Sequence, residues 1–149
     1  MIRAVMPRDI PQLVALAEVM HAEGRYKTVS FNKKKLSKHF LSAFASGCLV
    51  GFVDEKDDRL VGSILGMVTN YFFGDDVLLE DRGFFVLPAY RKSRSGSKLL
   101  RAWLDAGKQL DVKEICLSTS SLEDADALDL LCKKVGLEKI GSVYKLEVR

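Results

Sequence analysis

Hydrophobic residues recur at two spacings along this chain, one typical of amphipathic helices and the other of strands. Residues 1–6 have the composition of a short edge strand. Asp9-Ile10-Pro11-Gln12 then offers an N-cap acid, a first-turn proline and a reciprocal capping glutamine ahead of apolar residues at helical spacing. Asn32 is suited to cap a second helix that ends near Gly47. We therefore expect one strand followed by two helices.

The middle of the chain has the pattern of strands. Apolar runs at residues 48–53 and 60–68, joined by a polar turn, predict a hairpin, and residues 77–87 predict another strand. An amphipathic helix should follow over residues 97–110, and then a short strand over residues 113–118.

The C-terminal part predicts one more helix and one more strand. Residues 120–123 form a capping box for a helix that Gly136 would end. Tyr144, Leu146 and Val148 alternate with other residues, which predicts a terminal strand. The whole order is β-αα-βββ-α-β-α-β, which favours an α/β (α+β) fold.

Composition limits the class of protein. A chain of 149 residues with 48% hydrophobic residues fits a single globular domain, residues 1–149, that buries about two-thirds of its unfolded surface. No run reaches the roughly 18 apolar residues of a membrane span, so we expect a cytoplasmic protein without a membrane partner. Its three cysteines are odd in number and widely separated, which favours reduced thiols and no metal site.

Charge is informative only where it is concentrated. The net charge of +3 is too small to indicate a nucleic-acid partner. Residues 86–100, however, run from an apolar strand through a basic loop into an amphipathic helix. Amides at the start of a helix have no helical acceptor and the helix dipole is positive there, so this arrangement predicts an anion site. The loop lacks the GxxxxGK[ST] and GxGxxG patterns of nucleotide and dinucleotide sites.

The same loop resembles the coenzyme A pyrophosphate loop of the GNAT (Gcn5-related N-acetyltransferase) superfamily, whose pattern is V-x-P-x-Y-R-x-x-G-x-G/A-x-x-L-L. The matching residues are Val86, Pro88, Tyr90, Arg91, Gly96, Leu99 and Leu100. The resemblance implies a mixed, mostly antiparallel central sheet flanked by helices, in the predicted order of elements. The loop and residues 16–24 also resemble small phage-encoded members of the superfamily.

The resemblance also implies a cofactor, acetyl-CoA (coenzyme A), and residues that bind it. Backbone groups of the strand before the loop would pair with the pantetheine arm, and the loop would hold the pyrophosphate through amides, cations and a serine hydroxyl. The residues so assigned are Phe85, Val86, Leu87, Arg91, Lys92, Ser93, Arg94, Ser95, Gly96 and Ser97. Arg94 replaces the usual first glycine, which either lowers affinity or directs a guanidinium toward a phosphate.

Acyl transfer to an amine needs a base and a proton donor. Glu80 lies on the strand where family members often carry a glutamate base; it would act as that base or as a rim carboxylate that attracts a cationic substrate. Family alignment places Cys132 at the position of the usual tyrosine acid and Ala125 at that of its asparagine helper. Cys132 is then either the acid or a core residue, and Tyr144 could supply a hydroxyl instead.

Substrate recognition is expected in the loops around the site. Glu23, Tyr26, Tyr71 and Asp81 could hold a cationic amine by charge and cation–π contact, although Tyr26 could equally pack against the end of the first helix. The predicted enzyme is an acetyl-CoA-dependent N-acetyltransferase that acts on a primary amine of a small molecule or protein. The alternative is a catalytically weak or inactive GNAT-like module that binds CoA or interacts with a protein. Exposed sheet edges also allow a homodimer.

Overall fold

The described part of the chain contains five strands and four helices, and their order agrees with the hydrophobic pattern except at the C-terminus. The computed structural model describes residues 1–118 and 125–149. The strands are β1 (Ile2–Ala4), β2 (Leu49–Lys56), β3 (Arg59–Asn70), β4 (Val77–Val86) and β5 (Ile115–Cys116). The helices are α1 (Ile10–Glu23), α2 (Lys33–Ser46), α3 (Ser95–Lys108) and α4 (Ala125–Lys134). The capping box predicted at residues 120–123 lies outside the described residues.

The strands form one sheet in the order β1-β2-β3-β4-β5. The first four are antiparallel neighbours, and β5 is parallel to β4. The predicted hairpin joins β2 to β3 through Asp57 and Asp58, whose φ angles of 49° and 60° are those of a tight two-residue turn. The mixed, mostly antiparallel sheet expected from the sequence is confirmed.

A hydrophobic core lies on each face of the sheet. On one face, α1 and α2 pack on β2, β3 and β4 through Leu13, Phe40 and Phe85 among others. On the other face, α3 and α4 pack on Ile64 and Leu79, and Trp103 of α3 is completely buried there. The Trp103 indole nitrogen donates a hydrogen bond of 3.1 Å to the carbonyl of Val50, which satisfies its only polar atom. As a result of this packing, the C-terminal end of α1 and the N-terminal end of α3 both lie near the last residues of β4.

A bulge divides β4 into two halves. Leu65 pairs with Gly83 and Gly66 pairs with Asp81, so Arg82 is an extra residue without a partner in β3. One extra residue reverses which side chains face each side of the sheet. Leu79 before the bulge and Phe84 after it therefore face the same core, although they are five positions apart. The bulge thereby determines which β4 side chains face α3.

The two predicted helix N-caps have different outcomes. Asn32 caps α2 as expected, because its side chain accepts a 3.0 Å hydrogen bond from the amide of Lys35. Asp9 instead accepts two hydrogen bonds from the guanidinium of Arg3, at 2.8 and 2.9 Å. Gln12 is not the reciprocal cap that the sequence predicts, since its side chain accepts from the amide of Leu60 in the hairpin. These two side chains fasten α1 to the sheet.

The C-terminal prediction is wrong in two respects. The strand expected at residues 113–118 is limited to the two residues of β5. Residues 138–149, which are all described, form neither helix nor strand, so the terminal strand expected around Tyr144, Leu146 and Val148 does not form. A strand needs a neighbour to accept its hydrogen bonds, and alternation alone does not supply one. Within the described residues, no helix has the length and apolar character to cross a membrane.

Candidate functional site

A cleft of about 740 Å³ opens where β4 ends and α3 begins. The end of α1, the last residues of β4, the following loop, the first turn of α3 and one face of α4 all contribute to it. Its lining residues are Met20, Glu23, Gly24, Phe84, Phe85, Val86, Arg91, Lys92, Ser93, Gly96, Ser97, Ala127, Leu128 and Leu131. The cleft therefore lies at the anion site that the sequence predicts.

The wall formed by β4 has a free edge. In the described residues, β5 pairs with β4 only at Leu79 and Glu80, and β4 continues from Asp81 to Val86 without a partner on that side. Unpaired backbone amides and carbonyls are strong hydrogen-bonding groups that an extended ligand can use as a further strand would. This edge can therefore pair with a linear arm that carries amide groups.

The direction of the backbone groups corrects part of the sequence prediction. The amide of Leu87 donates to the carbonyl of Val61 in β3, at 2.8 Å. Successive residues of a strand point their backbone groups to opposite sides, so Phe85 and Leu87 face β3 while Phe84 and Val86 face the cleft. Val86 was predicted to pair with the arm and faces the right side. Phe85 and Leu87 were predicted for the same role, but their backbone groups are directed into the sheet.

The first turn of α3 has the features of an anion site. Gly96 and Ser97 both line the cleft, and helix geometry gives their amides no acceptor within the helix. A Cβ built on Gly96 would lie 3.8 Å from the Phe84 ring and 3.9 Å from a Val86 methyl, so the missing side chain leaves space in the cleft wall. Lys92 on the loop adds a positive charge to the partial charge of the helix N-terminus. This combination fits a pyrophosphate group.

Two of the predicted loop residues are directed elsewhere. Ser95 is 3% exposed, and its hydroxyl donates a 2.6 Å hydrogen bond to the buried carboxylate of Asp54 on β2. The hydroxyl predicted to face a phosphate therefore joins α3 to the sheet. Arg94 is exposed and does not line the cleft, and its φ of −83° is available to any residue. Arginine in place of the usual glycine thus causes no backbone strain.

The Arg91 side chain contacts both α1 and β4, two of the elements that line the cleft. Its Nε donates to the carbonyl of Val86 at 2.9 Å, and one terminal nitrogen donates to the carboxylate of Glu23 at 2.5 Å. Its guanidinium also lies 5.2 Å from the centre of the Phe85 ring. Glu23, predicted to bind substrate, is therefore in the cleft but is paired with Arg91. This contact connects the end of α1 to the loop.

Two neighbouring carboxylates lie where β4 and β5 separate, and their environments differ. Glu80 forms a 3.0 Å ion pair with Arg82, and both side chains are partly exposed. Asp81, the first residue of the free edge, accepts a 2.8 Å hydrogen bond from the amide of Ser118. Burial raises the pKa of Asp81 to about 6, against the opposing effect of that hydrogen bond. Asp81 therefore changes protonation state closer to neutral pH than an ordinary aspartate.

The two predicted proton donors lie in different places. Cys132 on α4 is partly buried beside the core, next to the cleft-lining Leu131. Burial raises the pKa of its thiol, and the charges of Asp129 and Asp81 raise it further, so the thiol keeps its proton at neutral pH. Tyr144 is 92% exposed and is not in the cleft wall. The structure thus brings only Cys132 near the carboxylates.

The aromatic residues predicted to recognise substrate are not gathered in the cleft. Tyr26 is exposed and stacks under Arg25, whose guanidinium lies 4.2 Å from the ring centre. Tyr71 lies in the loop between β3 and β4, and its hydroxyl donates to Glu114 beside β5. That hydrogen bond raises the pKa of Tyr71 to about 12. Of the four predicted substrate residues, only Glu23 lines the cleft.

Sequence reasoning missed several apolar residues of the cleft wall. These are Met20, Gly24, Phe84, Ala127, Leu128 and Leu131. Met20 and Leu131 lie at helical spacing with other apolar residues, and that spacing does not distinguish a core position from a cleft position. Phe84 could have been predicted from the sequence, because it lies two residues from Val86 in the strand and so faces the same side.

Comparison with known proteins finds one matching family. The sequence model of the acetyltransferase (GNAT) family matches residues 16–137. No curated protein matches the chain.

Solved structures show the same fold at low sequence identity. The aminoglycoside acetyltransferase AAC(6')-Iy, in complex with the bisubstrate analogue CoA-S-monomethyl-acetylneamine, aligns with a TM-score of 0.76 and 17% identity over 100% of this chain and 97% of that chain. An aminoglycoside 6'-N-acetyltransferase from Acinetobacter haemolyticus gives 0.72 and 14%, covering 100% and 98%. A Trypanosoma brucei acetyltransferase gives 0.71 and 18%, covering 99% of each chain. The likeness spans the whole architecture described above.

Proposed function

The chain belongs to the acetyltransferase (GNAT) family, and from this premise we propose that it transfers the acetyl group of acetyl-CoA to a primary amine of a small molecule or a protein. Residues 1–149 would act as one domain in this reaction. The observation that supports the proposal most strongly is the cleft in which the free edge of β4 leads directly to the N-terminus of α3. A linear amide arm that ends in a pyrophosphate needs these two features side by side.

Each part of coenzyme A has a matching group in the cleft. The amides of Gly96 and Ser97, with the charge of Lys92, would hold the pyrophosphate. The backbone groups of Phe84 and the amide of Val86, whose carbonyl already accepts from Arg91, would pair with the pantetheine arm, and the arm would run along β4 toward Asp81. Bound acetyl-CoA supplies a thioester, whose carbonyl carbon is the electrophile. Backbone amides of the free edge are then available to stabilise negative charge on the thioester oxygen.

The acceptor amine must lose a proton before its nitrogen can attack. Both carboxylates of β4 are assigned to this step, Glu80 by the sequence prediction and Asp81 by its environment. The geometry favours Asp81, because it lies at the start of the free edge and is not paired with an arginine, whereas Glu80 is held by Arg82. A base whose pKa is about 6 is deprotonated at neutral pH and can still accept a proton.

The departing thiolate must gain a proton. Cys132 keeps its proton at neutral pH, because burial and the charges of Asp129 and Asp81 raise the pKa of its thiol. The raised pKa makes Cys132 a weaker acid than an ordinary thiol, so water competes with it as the proton source for the departing thiolate. The exposed Tyr144 could take this role only if another arrangement of the C-terminal segment brought it to the site.

The acceptor is proposed to be a cationic amine, such as a lysine side chain, a polyamine or an aminoglycoside. Asp81 on β4 supports this class, since its carboxylate, unlike that of Glu23, is not paired with an arginine and would attract an ammonium group. Several structural neighbours are named as aminoglycoside acetyltransferases, which supports the same class without selecting one member.

Two measurements test the proposal. Isothermal titration with acetyl-CoA should show micromolar or tighter binding, and no binding at millimolar ligand would refute it. Thiol release should then be followed over a panel of amines. Asp81→Asn and Glu80→Gln form a matched pair, since each removes one carboxylate and keeps its shape. We expect the larger loss of turnover with Asp81→Asn, and equal activity of both variants with the unmodified protein would remove both carboxylates from the mechanism.

The second candidate function is a CoA-binding module without turnover. The partial burial of Cys132 against the core favours it, because a packed thiol is a common structural residue. Under this alternative, acetyl-CoA binds but releases no thiol with any amine, and Cys132→Ala changes stability alone. A decrease of turnover with Cys132→Ala at unchanged acetyl-CoA affinity would favour the enzyme.

A further inference from the structure

The buried carboxylate of Asp54 connects β2 to the first turn of α3. Asp54 is 4% exposed, and one of its oxygens accepts a 2.6 Å hydrogen bond from the hydroxyl of Ser95, which is 3% exposed. Its other oxygen accepts a 2.9 Å hydrogen bond from the nitrogen of Met1. A bond of this length between a hydroxyl and a carboxylate is among the stronger protein hydrogen bonds, and burial protects it from competing water. Asp54 and Ser95 therefore form a fixed link between the sheet and the N-terminus of the helix.

This link crosses a row of paired residues in the sheet. Asp54 pairs with Gly62 in β3, and Gly62 pairs with Val86 in β4. A Cβ built on Gly62 would lie 3.0 Å from a Leu99 methyl of α3 and 3.2 Å from a Val86 methyl. The missing side chain thus allows α3 to lie close to the sheet between Asp54 and the end of β4. From this position Ser95 reaches Asp54.

The other two serine hydroxyls of the loop are also used within the protein. Ser93 Oγ donates to the carbonyl of Tyr90 at 2.5 Å and accepts from the amide of Ser95 at 3.2 Å. Ser97 Oγ donates to the carbonyl of Arg94 at 3.0 Å. Each hydroxyl has one proton to donate, so each of the three serines would have to give up a bond within the protein before it could donate to a phosphate. The serines therefore shape the loop, and its backbone amides are left to bind an anion.

The same bonds decide which amides of α3 are available. The first amides of a helix have no acceptor within it. In α3 the amide of Lys98 is the first to bond back along the helix, to the carbonyl of Arg94 at 3.0 Å. The amide of Ser95 is taken by Ser93 Oγ. The amides of residues 96 and 97 remain, and both of these residues line the cleft.

We propose that Asp54 and Ser95 are positioning residues for the pyrophosphate of coenzyme A. Their hydrogen bond fixes the first turn of α3 relative to β4, so that the amides of Gly96 and Ser97 meet the phosphate oxygens while the free edge of β4 holds the pantetheine arm. Two elements bind one ligand well only when their relative position is already set, because ordering them on binding costs free energy. The inference rests on the proposed function, since it requires coenzyme A in the cleft.

The location of the link predicts which part of the ligand it affects. Neither Asp54 nor Ser95 is among the residues that line the cleft. Loss of their bond should weaken the contacts of the pyrophosphate and leave the pairing of the pantetheine arm with Phe84 unchanged. Asp54 also carries a negative charge, which by itself opposes the binding of an anion. Positioning and a simple effect of charge therefore predict opposite results when Asp54 is replaced.

Titration with CoA and with pantetheine, which lacks the pyrophosphate, tests this role. Ser95→Ala removes the hydroxyl and should raise the dissociation constant for CoA about ten-fold, because the amides of the first turn no longer hold the geometry of a hydrogen bond to a charged group. The dissociation constant for pantetheine should stay the same. An equal rise for both ligands would show that Ser95 only supports the fold, and no rise for either would show that the link is not needed. Each of these results would overturn the inference.

Two further variants complete the test. Asp54→Ala removes the acceptor of the same bond and should also weaken CoA binding about ten-fold, whereas tighter binding would show that charge dominates and would overturn the inference. Gln12→Ala is the control, since it breaks a different bond between a helix and the sheet, the 2.9 Å bond to the amide of Leu60, and Gln12 does not line the cleft. It should lower Tm and leave both dissociation constants unchanged. Failure of the unmodified protein to bind CoA would refute the proposed function as well, whereas CoA binding that Ser95→Ala does not alter would refute this inference alone.

Discussion

Replacing Gly96 with alanine should make the protein more stable, and replacing it with leucine should make it a weaker binder of coenzyme A, because the family pattern accepts alanine at this position but no larger residue. Gly96 lies in the first turn of α3, in a helical conformation that alanine adopts freely. The new Cβ would meet Phe84 and Val86 at 3.8 and 3.9 Å, which is ordinary van der Waals contact. Alanine in place of a helical glycine stabilises a fold by ~0.5–1 kcal/mol. For a chain of this length we therefore expect a rise in Tm of about 1–4 °C.

The longer side chain of Gly96→Leu would occupy space that a pyrophosphate needs when it approaches the amides of Gly96 and Ser97. Losing one hydrogen bond to a charged group costs ~1.5–3 kcal/mol. The dissociation constant for CoA should therefore rise roughly ten- to hundred-fold. The two effects have opposite signs, so they separate a binding role from a folding role.

Thermal unfolding without ligand and isothermal titration with CoA measure the two effects separately. Asp105→Ala is the control, since Asp105 is an exposed residue of the same helix and alanine also has the higher helix propensity there. This control should leave the CoA dissociation constant unchanged. A Gly96→Leu protein that binds CoA with unaltered affinity would show that the anion does not approach this turn.

Three further predictions concern residues outside the loop. Because the pKa of Asp81 is raised, its ionisation destabilises the folded state as pH rises through about 6. Asp81→Asn should therefore increase Tm more at pH 8 than at pH 5. It should also remove the decrease in rate at acidic pH. Ser95→Ala should lower stability by ~1–3 kcal/mol in urea unfolding, because the buried carboxylate of Asp54 loses a donor. A Cβ on Gly66 would lie 2.5 Å from the Trp103 ring, so Gly66→Ala should displace the indole, with a loss of ~1–3 kcal/mol and a shift in Trp103 fluorescence.

Local patterns predicted the elements well where the partner was close in sequence. The Asn32 cap and the turn at Asp57 and Asp58 depend on neighbours a few residues away, and both form as expected. The position of Gly96 in the first turn of a helix also followed from local order, because a strand, a basic loop and an amphipathic pattern are enough to predict it.

Predictions that depended on distant partners were less complete. Ser95 was assigned to a phosphate because its hydroxyl bond to Asp54 spans 41 residues of sequence. Phe85 was assigned to the arm because the direction of backbone groups in β4 is set by pairing with β3, which the sequence does not display. The prediction of a terminal strand was wrong for the same reason, since hydrophobic alternation indicates a preference for a strand but not the neighbouring strand with which it would pair.

The bulge at Arg82 has a consequence for how this sequence can vary. Arg82 is the extra residue that returns Phe84 to the face of Leu79. Its side chain could be replaced with little effect on that geometry. Deletion of the residue, however, would move every later side chain of β4 to the opposite face of the sheet. Phe84 and Val86 would then lie among α1 and α2, and Phe85 would lie beside α3. We therefore expect substitutions of Arg82 to be tolerated and its deletion to prevent folding. A library of one-residue deletions in β4 would show this effect as a loss of folded protein.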